Sequence, residues 1–245
     1  MIQSLARGLE ILDLLEQAEG DIGIMEFARY LDVDKSSASR LLQTLASYGY
    51  VEQNPDTRRF RLGPRVVVLS NRVLNRMPLR DHAHPFLRQL TDVTGECSHL
   101  AILSQGKALY IDQYQTPSIL RVETEIGTLS PLHCTALGKV LLAFVGVPSE
   151  LTLTPYTPRT IGDAETLRVH LDQVRRQGFA IDDEEHVAGV RCIAAPVYNF
   201  GKKVIAAIGI SGPAGRVTLD NLPLLKQQVI ATAEDLSRRL GSGLF

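Results

Sequence analysis

The fold of the N-terminal region is decided by one stretch, Asp34-Lys35-Ser36-Ser37-Ala38-Ser39-Arg40-Leu41-Leu42-Gln43-Thr44-Leu45, which is followed by Gly49-Tyr50-Val51. Its apolar residues recur at intervals of three and four, a spacing that predicts an amphipathic helix with one buried face. The Asp34 carboxylate can accept hydrogen bonds from the free amides of the first turn, so we expect it to cap this helix. Gly49 ends the helical pattern.

The remaining faces of this helix carry hydroxyl side chains together with long polar and cationic ones. Ser and Thr let a helix approach bases and phosphates, and Arg can bond guanine through two N–H groups. A solvated helix face has the same composition, so the neighbouring elements must decide between the two interpretations. As a recognition helix, it would contact DNA through Lys35, Ser36, Ser37, Ser39, Arg40, Gln43 and Thr44.

The segments around the stretch favour the DNA-binding interpretation. Two helical patterns, near residues 4–16 and 24–31, precede it, and a β-hairpin with a turn at 54–57 follows it. Three short helices and a basic hairpin in this order predict a winged helix-turn-helix that binds double-stranded DNA. Although charged hairpins also protect sheet edges, this one can reach phosphates or a narrow minor groove. Its candidate contacts are Arg58, Arg59 and Arg61.

Beyond the hairpin the pattern changes. Pro64 suits the first turn of a further helix, which we expect to end near Pro78 and whose apolar stripe can pack on a partner. Strand-like segments then alternate with helical ones, with short turns at 105–106 and 199–201. The strand-like segments are 100–103, 109–114, 192–198 and 204–211, and the helical ones are 79–94, 136–144, 164–177 and 222–240. This predicts an α+β protein with an antiparallel sheet flanked by helices. The expected domains are a winged helix-turn-helix over 1–62, a linker helix over 63–77 and a second domain over 78–245.

Composition narrows the cellular setting. The formal net charge is −1, so the whole-chain balance does not reveal the basic segment between 57 and 76. Three cysteines without a CxxC spacing fit a reducing cytoplasm. The longest apolar run, near 204–210, is far shorter than the roughly 18 residues of a membrane span. We therefore expect a cytoplasmic protein without a membrane partner.

Two further motifs join the N-terminal stretch in resembling the IclR family of bacterial transcriptional regulators over essentially the whole chain. One is Pro131-Leu132-His133-Cys134-Thr135-Ala136-Leu137-Gly138-Lys139. The other is Gly178-Phe179-Ala180-Ile181-Asp182-Asp183-Glu184-Glu185, continuing through 189–197 to Ile208-Gly209-Ile210-Ser211-Gly212-Pro213.

The resemblance implies a GAF-like effector-binding domain behind the linker helix, with no enzymatic activity and no cofactor. It also implies homodimers formed through the DNA-binding half, which often pair into homotetramers. An effector would meet the backbone amides of Ala136 and Leu137 at a helix start, where unpaired donors and the helix dipole suit a carboxylate. The other pocket residues that the resemblance implies are Asp182, Cys192 and Ser211 as polar groups, and Ile119, Val122 and Ser130 as wall.

The chain departs from the family pattern at Gly209. Relatives that bind very small oxoacids resemble it but place a serine there. We therefore expect a pocket that is roomier or less polar, in which an aromatic or longer-chain acid fits as well as one of two or three carbons.

Three other functions compete with ligand-controlled DNA binding. A zinc site from His82, His84, His99 or His133 lacks tight ligand spacing, and side chains at i and i+2 of a helix diverge, so no metal is expected. A GAF-type thiol redox enzyme or sensor using Cys97, Cys134 and Cys192 is a second class, although it leaves the first 77 residues unexplained. A constitutive architectural DNA binder is the third. It differs from a regulator in that no metabolite shifts its operator affinity.

The favoured prediction is a transcriptional regulator whose operator affinity responds to a small organic acid and that controls a catabolic operon. Because a dimer presents two recognition helices, its operator should be a pseudo-palindrome with half-sites about 10 bp, or a multiple, apart.

Overall fold

The computed structural model describes residues 2–146, 148 and 151–242. The chain divides into two compact units, Met1–Arg76 and Met77–Phe245.

The first unit contains three helices, a two-stranded antiparallel sheet and a fourth helix. Its core joins the helices to the sheet through Ile11, Phe27 and Leu42, and Phe27 meets Phe60 edge to face at 6.2 Å between ring centroids. The order of elements confirms the predicted winged helix-turn-helix. Their bounds are α1 (Gln3–Gln17), α2 (Ile24–Tyr30), α3 (Lys35–Ser47), β1 (Val51–Gln53), β2 (Phe60–Leu62) and α4 (Arg65–Leu74).

The fourth helix is shorter than predicted. It ends at Leu74, and a new helix begins at Pro78. The residue before a proline is disfavoured in the α region, and Met77 accordingly has an extended backbone with φ −101° and ψ 90°. Pro78 therefore opens the next helix, where its missing amide donor costs nothing.

The second unit is built on a six-stranded sheet in which every neighbouring pair is antiparallel, in the order β5-β4-β3-β8-β7-β6. This confirms the predicted α+β class. Its elements are α5 (Pro78–Thr94), β3 (Cys97–Ser104), β4 (Lys107–Tyr114), β5 (Leu129–Ser130), α6 (Ala136–Phe144), α7 (Ala164–Gln177), β6 (Ala180–Asp183), β7 (Val190–Tyr198), β8 (Val204–Pro213) and α8 (Leu222–Arg239).

The two faces of this sheet are covered by different helices. Ile208 and Ile210 pack with α5 and α8, whereas Ala207, on the opposite face, packs with α6 and α7. Because side chains alternate along a strand, residues 209 and 211 share the α6 face. Along that face, near the start of α6, the apolar core gives way to polar side chains.

Candidate DNA-binding surface and effector pocket

The predicted recognition residues lie on the outer surface of α3, whose opposite face buries Ala38 and Leu42. Asp34 caps the helix as predicted, since its Oδ1 accepts from the Ser37 amide at 2.9 Å. The Ser36 and Ser37 hydroxyls also donate to Asp34, and these hydrogen bonds hold the pKa of its carboxyl well below the usual range.

This cap changes what the two serines can offer DNA. Because their protons are engaged by Asp34, their oxygens are left as acceptors, which suit base amino groups better than phosphates. Cationic side chains must then supply the contacts to phosphates. Of these, Arg40 is exposed, with its Nη2 3.2 Å from the Ser37 oxygen.

A groove of about 330 Å³ beside Arg40 includes residues that were not predicted to contact DNA, among them one cation. Arg7, in the second turn of α1, lines this groove together with Arg40, and none of the lining residues is acidic. Two positive charges and several short polar side chains suit a phosphate backbone. The lining residues are Gln3, Ser4, Arg7, Ser37, Arg40, Leu41 and Thr44.

The three arginines of the hairpin are not equivalent. Arg59 Nη2 lies 2.8 Å from Glu26, and its Nε donates to the Asp21 carbonyl at 2.7 Å. Arg61 Nε lies 2.6 Å from Glu52. Arg58, at the turn, is exposed and has no acidic group within 4.0 Å among the described residues. Of the three, it is therefore the freest to meet a phosphate.

The second unit holds a cavity of about 350 Å³ at the start of α6. Strand register places Asp182 opposite Cys192 and Cys192 opposite Ser211, so these three side chains form a row across β6, β7 and β8. The cavity brings together seven of the nine residues named from the sequence, namely Val122, Ser130, Ala136, Leu137, Asp182, Cys192 and Ser211.

The start of α6 presents backbone donors to this cavity. Thr135 caps the helix by accepting from the Gly138 amide at 3.1 Å while its hydroxyl donates to the Pro131 carbonyl. The earlier amides of the first turn, those of Ala136 and Leu137, have no acceptor within the helix, and both residues line the cavity. This end of the cavity therefore suits an anionic oxygen.

A buried ion pair supports the polar row from behind. The Lys139 ammonium is fully buried and donates to Glu185 and to the Ile181 carbonyl. Asp182 Oδ1 accepts from the Glu185 amide at 2.7 Å. Burial nevertheless raises the pKa of Asp182 to about 7, against the lowering effect of that hydrogen bond and of Lys139. Near neutral pH this carboxyl can hold a proton.

Two aromatic side chains complete the polar wall, and the sequence analysis did not assign them to the pocket. His99 Nε2 lies 2.6 Å from Ser211 Oγ, and the His99 ring packs edge-on to Tyr110 at 5.5 Å. Both residues line the cavity, as do further residues absent from the predicted set, among them Glu123, Thr124, Glu125, Thr128, His186 and Val187.

Two expectations about the pocket need correction. Ile119 is 99% exposed and is not among the residues that line the cavity, although it lies on the same irregular segment between β4 and β5 as Val122, which does line it. Gly209 adds no room either. A Cβ built there would lie 2.2 Å from the Ile193 carbonyl oxygen, so β7 already occupies the space that a serine would need.

The cysteines do not have the character of redox catalysts. All three are free. Burial raises the pKa values of the Cys97 and Cys192 thiols and raises that of Cys134 to about 12, whereas reactive cysteines have depressed values. Among the described residues there is no group of three or more His, Cys, Asp or Glu side chains that could hold a metal ion. Within the same part of the chain, no helix is long and apolar enough to cross a membrane.

Comparison with known proteins assigns both units. Residues 4–55 match the family model of the IclR helix-turn-helix domain, and residues 71–238 match that of the bacterial transcriptional regulator IclR C-terminal domain. The HTH-type transcriptional regulator XynR of Escherichia coli K12 is 36% identical, with 98% of each chain covered.

Solved structures agree with this assignment. A transcriptional regulator from Rhodococcus sp. RHA1 superposes with a TM-score of 0.82 at 32% identity, covering 99% of each chain. An IclR homolog from Microbacterium hydrocarbonoxydans, complexed with 4-hydroxybenzoate, has a TM-score of 0.76 with 96% of this chain and 99% of that chain covered. At 23% identity, this second similarity supports the fold alone.

Proposed function

Because the chain belongs to the IclR family of bacterial transcriptional regulators, we propose that it binds operator DNA through α3. Binding of a small carboxylate in the cavity of its second unit then weakens or strengthens the affinity for that operator. The observation that carries the effector half of the proposal is the cavity wall of backbone amides at the start of α6, faced by the row of Asp182, Cys192 and Ser211.

The DNA-binding half rests on the surface of α3 and its neighbours. Arg40 and Arg7 supply cationic contacts along one groove, and Arg58 supplies another from the hairpin. The other predicted residues remain proposed contacts: Lys35, Ser36, Ser37, Ser39, Gln43, Thr44, Arg59 and Arg61. To contact DNA, Arg59 and Arg61 would have to break their ion pairs with Glu26 and Glu52.

A homodimer is part of the proposal. None of the residues of α4 is buried within the first unit, and the helix exposes Val67, Val68, Leu69 and Val73. Such an apolar face suits pairing with a second copy, which would present two recognition helices to a pseudo-palindromic operator. Pairing of dimers into a tetramer, and control of a catabolic operon, belong to the same proposal.

The cavity's size and lining bear on the effector class. A volume of about 350 Å³ lies at the lower end of ordinary ligand pockets, which begin near 300 Å³. The backbone donors at the start of α6 can bind the carboxylate of a ligand, whereas Glu123, Glu125 and Asp182 can accept hydrogen bonds from its hydroxyl groups. We therefore favour a hydroxylated acid, aromatic or aliphatic, over acetate-sized ligands.

An acid panel tests the proposal directly. Thermal unfolding would be followed with acetate, pyruvate, 4-hydroxybenzoate and gluconate, and binding to the folded state should raise the melting temperature with concentration. Val122→Trp, which fills the cavity, should abolish the shift. Ile119→Trp, on the same segment but outside the cavity, should retain it. A shift that survives Val122→Trp, or no shift with any acid of the panel, would contradict the pocket assignment.

A further inference from the structure

The contact between His99 and Ser211 joins residues that are 112 positions apart in the chain, on the paired strands β3 and β8. His99 is only 2% exposed. Burial lowers the pKa of its imidazole to about 4, so the ring is neutral at physiological pH and carries one proton. That proton can sit on either ring nitrogen, and the two tautomers give Ser211 opposite roles.

Burial of the second ring nitrogen distinguishes the tautomers. His99 Nδ1 is buried and has no hydrogen-bond partner among the described residues. A proton on Nδ1 would leave a buried N–H donor without an acceptor, an arrangement that proteins rarely tolerate. A proton on Nε2 would donate to Ser211 Oγ at 2.6 Å and leave only a lone pair on Nδ1.

The Nε2–H tautomer decides the polarity of Ser211. Once its oxygen accepts from His99, the serine proton must point elsewhere. No hydrogen bond from this hydroxyl to another residue is found in the described part of the chain. Since Ser211 lines the cavity, its proton is available to an acceptor there.

We propose that His99 is a positioning residue of the effector pocket, which holds the Ser211 hydroxyl as a donor and so selects ligands with an acceptor oxygen at that point. This inference rests on the proposed function and deepens it. The cavity then offers the Ser211 hydroxyl as a donor in addition to the backbone amides at the start of α6, which suits a ligand with anionic oxygens. A ligand with an ammonium or another donor-only group would be rejected there.

Histidine NMR tests the tautomer without any ligand. In the full-length protein labelled with [15N]histidine, long-range proton–nitrogen spectra distinguish Nε2–H from Nδ1–H, and His99→Gln identifies the His99 signals. We expect Nε2–H in the wild type, with a changed Nε2 shift in Ser211→Ala, where the acceptor is gone. A proton on Nδ1 would overturn the proposal.

A double-mutant cycle tests the role of His99 in ligand binding. The probe would be 4-hydroxybenzoate, or gluconate if that acid gives the larger shift in the panel above. His99→Leu should weaken binding about 10-fold when Ser211 is present, because one hydrogen bond from Ser211 to a charged ligand is weakened or lost. In the Ser211→Ala background, where that hydrogen bond is already absent, the effect should be less than about 2-fold. His99→Gln, whose amide N–H can donate to the serine, should recover part of the loss.

The controls separate this inference from the proposed function. Ser98→Ala removes a buried hydroxyl from the same strand. This hydroxyl donates to the Leu87 carbonyl at 2.7 Å, and Ser98 does not line the cavity. The variant should therefore leave acid binding unchanged. Equal losses from His99→Leu in both backgrounds would show a general structural role and overturn the proposal. If no acid of the panel binds the wild type, the proposed function fails while the NMR experiment still decides the tautomer.

Discussion

The roles of Gly209 and Asp182 depend on their surroundings in the fold: Gly209 lies close to the backbone of a neighbouring strand, and Asp182 is buried away from solvent. Gly209 lets β7 and β8 approach closely, and the family motif identified its position without revealing that contact. Asp182 was predicted from the same motif, but its displaced pKa depends on burial, which a motif does not encode. His99 was considered only as a zinc ligand and was not predicted to line the pocket, because its partner lies 112 positions away, on a strand whose register the sequence does not specify.

Gly209→Ala should destabilise the second unit. The added Cβ would lie 2.2 Å from a backbone carbonyl oxygen, so strands must shift, and we expect a loss of about 1–3 kcal/mol in the free energy of unfolding. Gly215→Ala is the matched control, since a Cβ there meets nothing within 4 Å. Urea unfolding measures both variants. Equal stabilities would show that the close strand contact does not constrain position 209.

The raised pKa of Asp182 predicts that its contribution to the free energy of unfolding depends on pH. An acid whose folded-state pKa, about 7, exceeds its unfolded value binds more protons when folded, so its contribution to stability falls as pH rises from about 4 to 7. Asp182→Asn retains an acceptor oxygen but does not titrate. Its stability relative to the wild type should therefore improve by up to about 2 kcal/mol between pH 5 and pH 7. Urea unfolding at these two pH values checks this, and a constant difference would refute it.

At the scale of elements, the helices were the most predictable part. The apolar spacing predicted α6 and α7 with the bounds that the structure has, because each buries a continuous stripe. The two-residue β5 and four-residue β6 were not predicted, since such short strands carry little periodicity. The hairpin was predicted, but the ion pair of Arg59 with Glu26 depends on a tertiary contact with α2, and that of Arg61 with Glu52 depends on the register of β1 and β2.

These ion pairs divide the hairpin arginines into two classes with different salt responses. Arg58→Ala should reduce the slope of log affinity against log salt by about one, as expected for the loss of one phosphate contact. Arg61→Ala should reduce the slope by less, because the guanidinium of Arg61 lies 2.6 Å from Glu52 and would have to leave that carboxylate to meet a phosphate. Fluorescence anisotropy with an operator duplex selected from random DNA measures both slopes. A larger loss for Arg61→Ala would reverse the assignment.

For the molecule as a whole, the sequence predicted a winged helix-turn-helix unit followed by an α+β unit, and the structure contains both. What the pocket binds depends on which atoms face it, and these were set by strand register and by the buried Lys139 and Glu185 pair rather than by any local pattern. We propose that occupancy of this cavity alters the affinity of α3 for DNA.

The most direct test is the operator affinity of the intact protein, measured by fluorescence anisotropy with and without the panel acid that stabilises it. Typical coupling energies predict a change of roughly 5- to 150-fold for the wild type and for Ile119→Trp, and none for Val122→Trp. An operator affinity that is the same with and without the acid in the wild type, or that responds equally in Val122→Trp, would contradict the account.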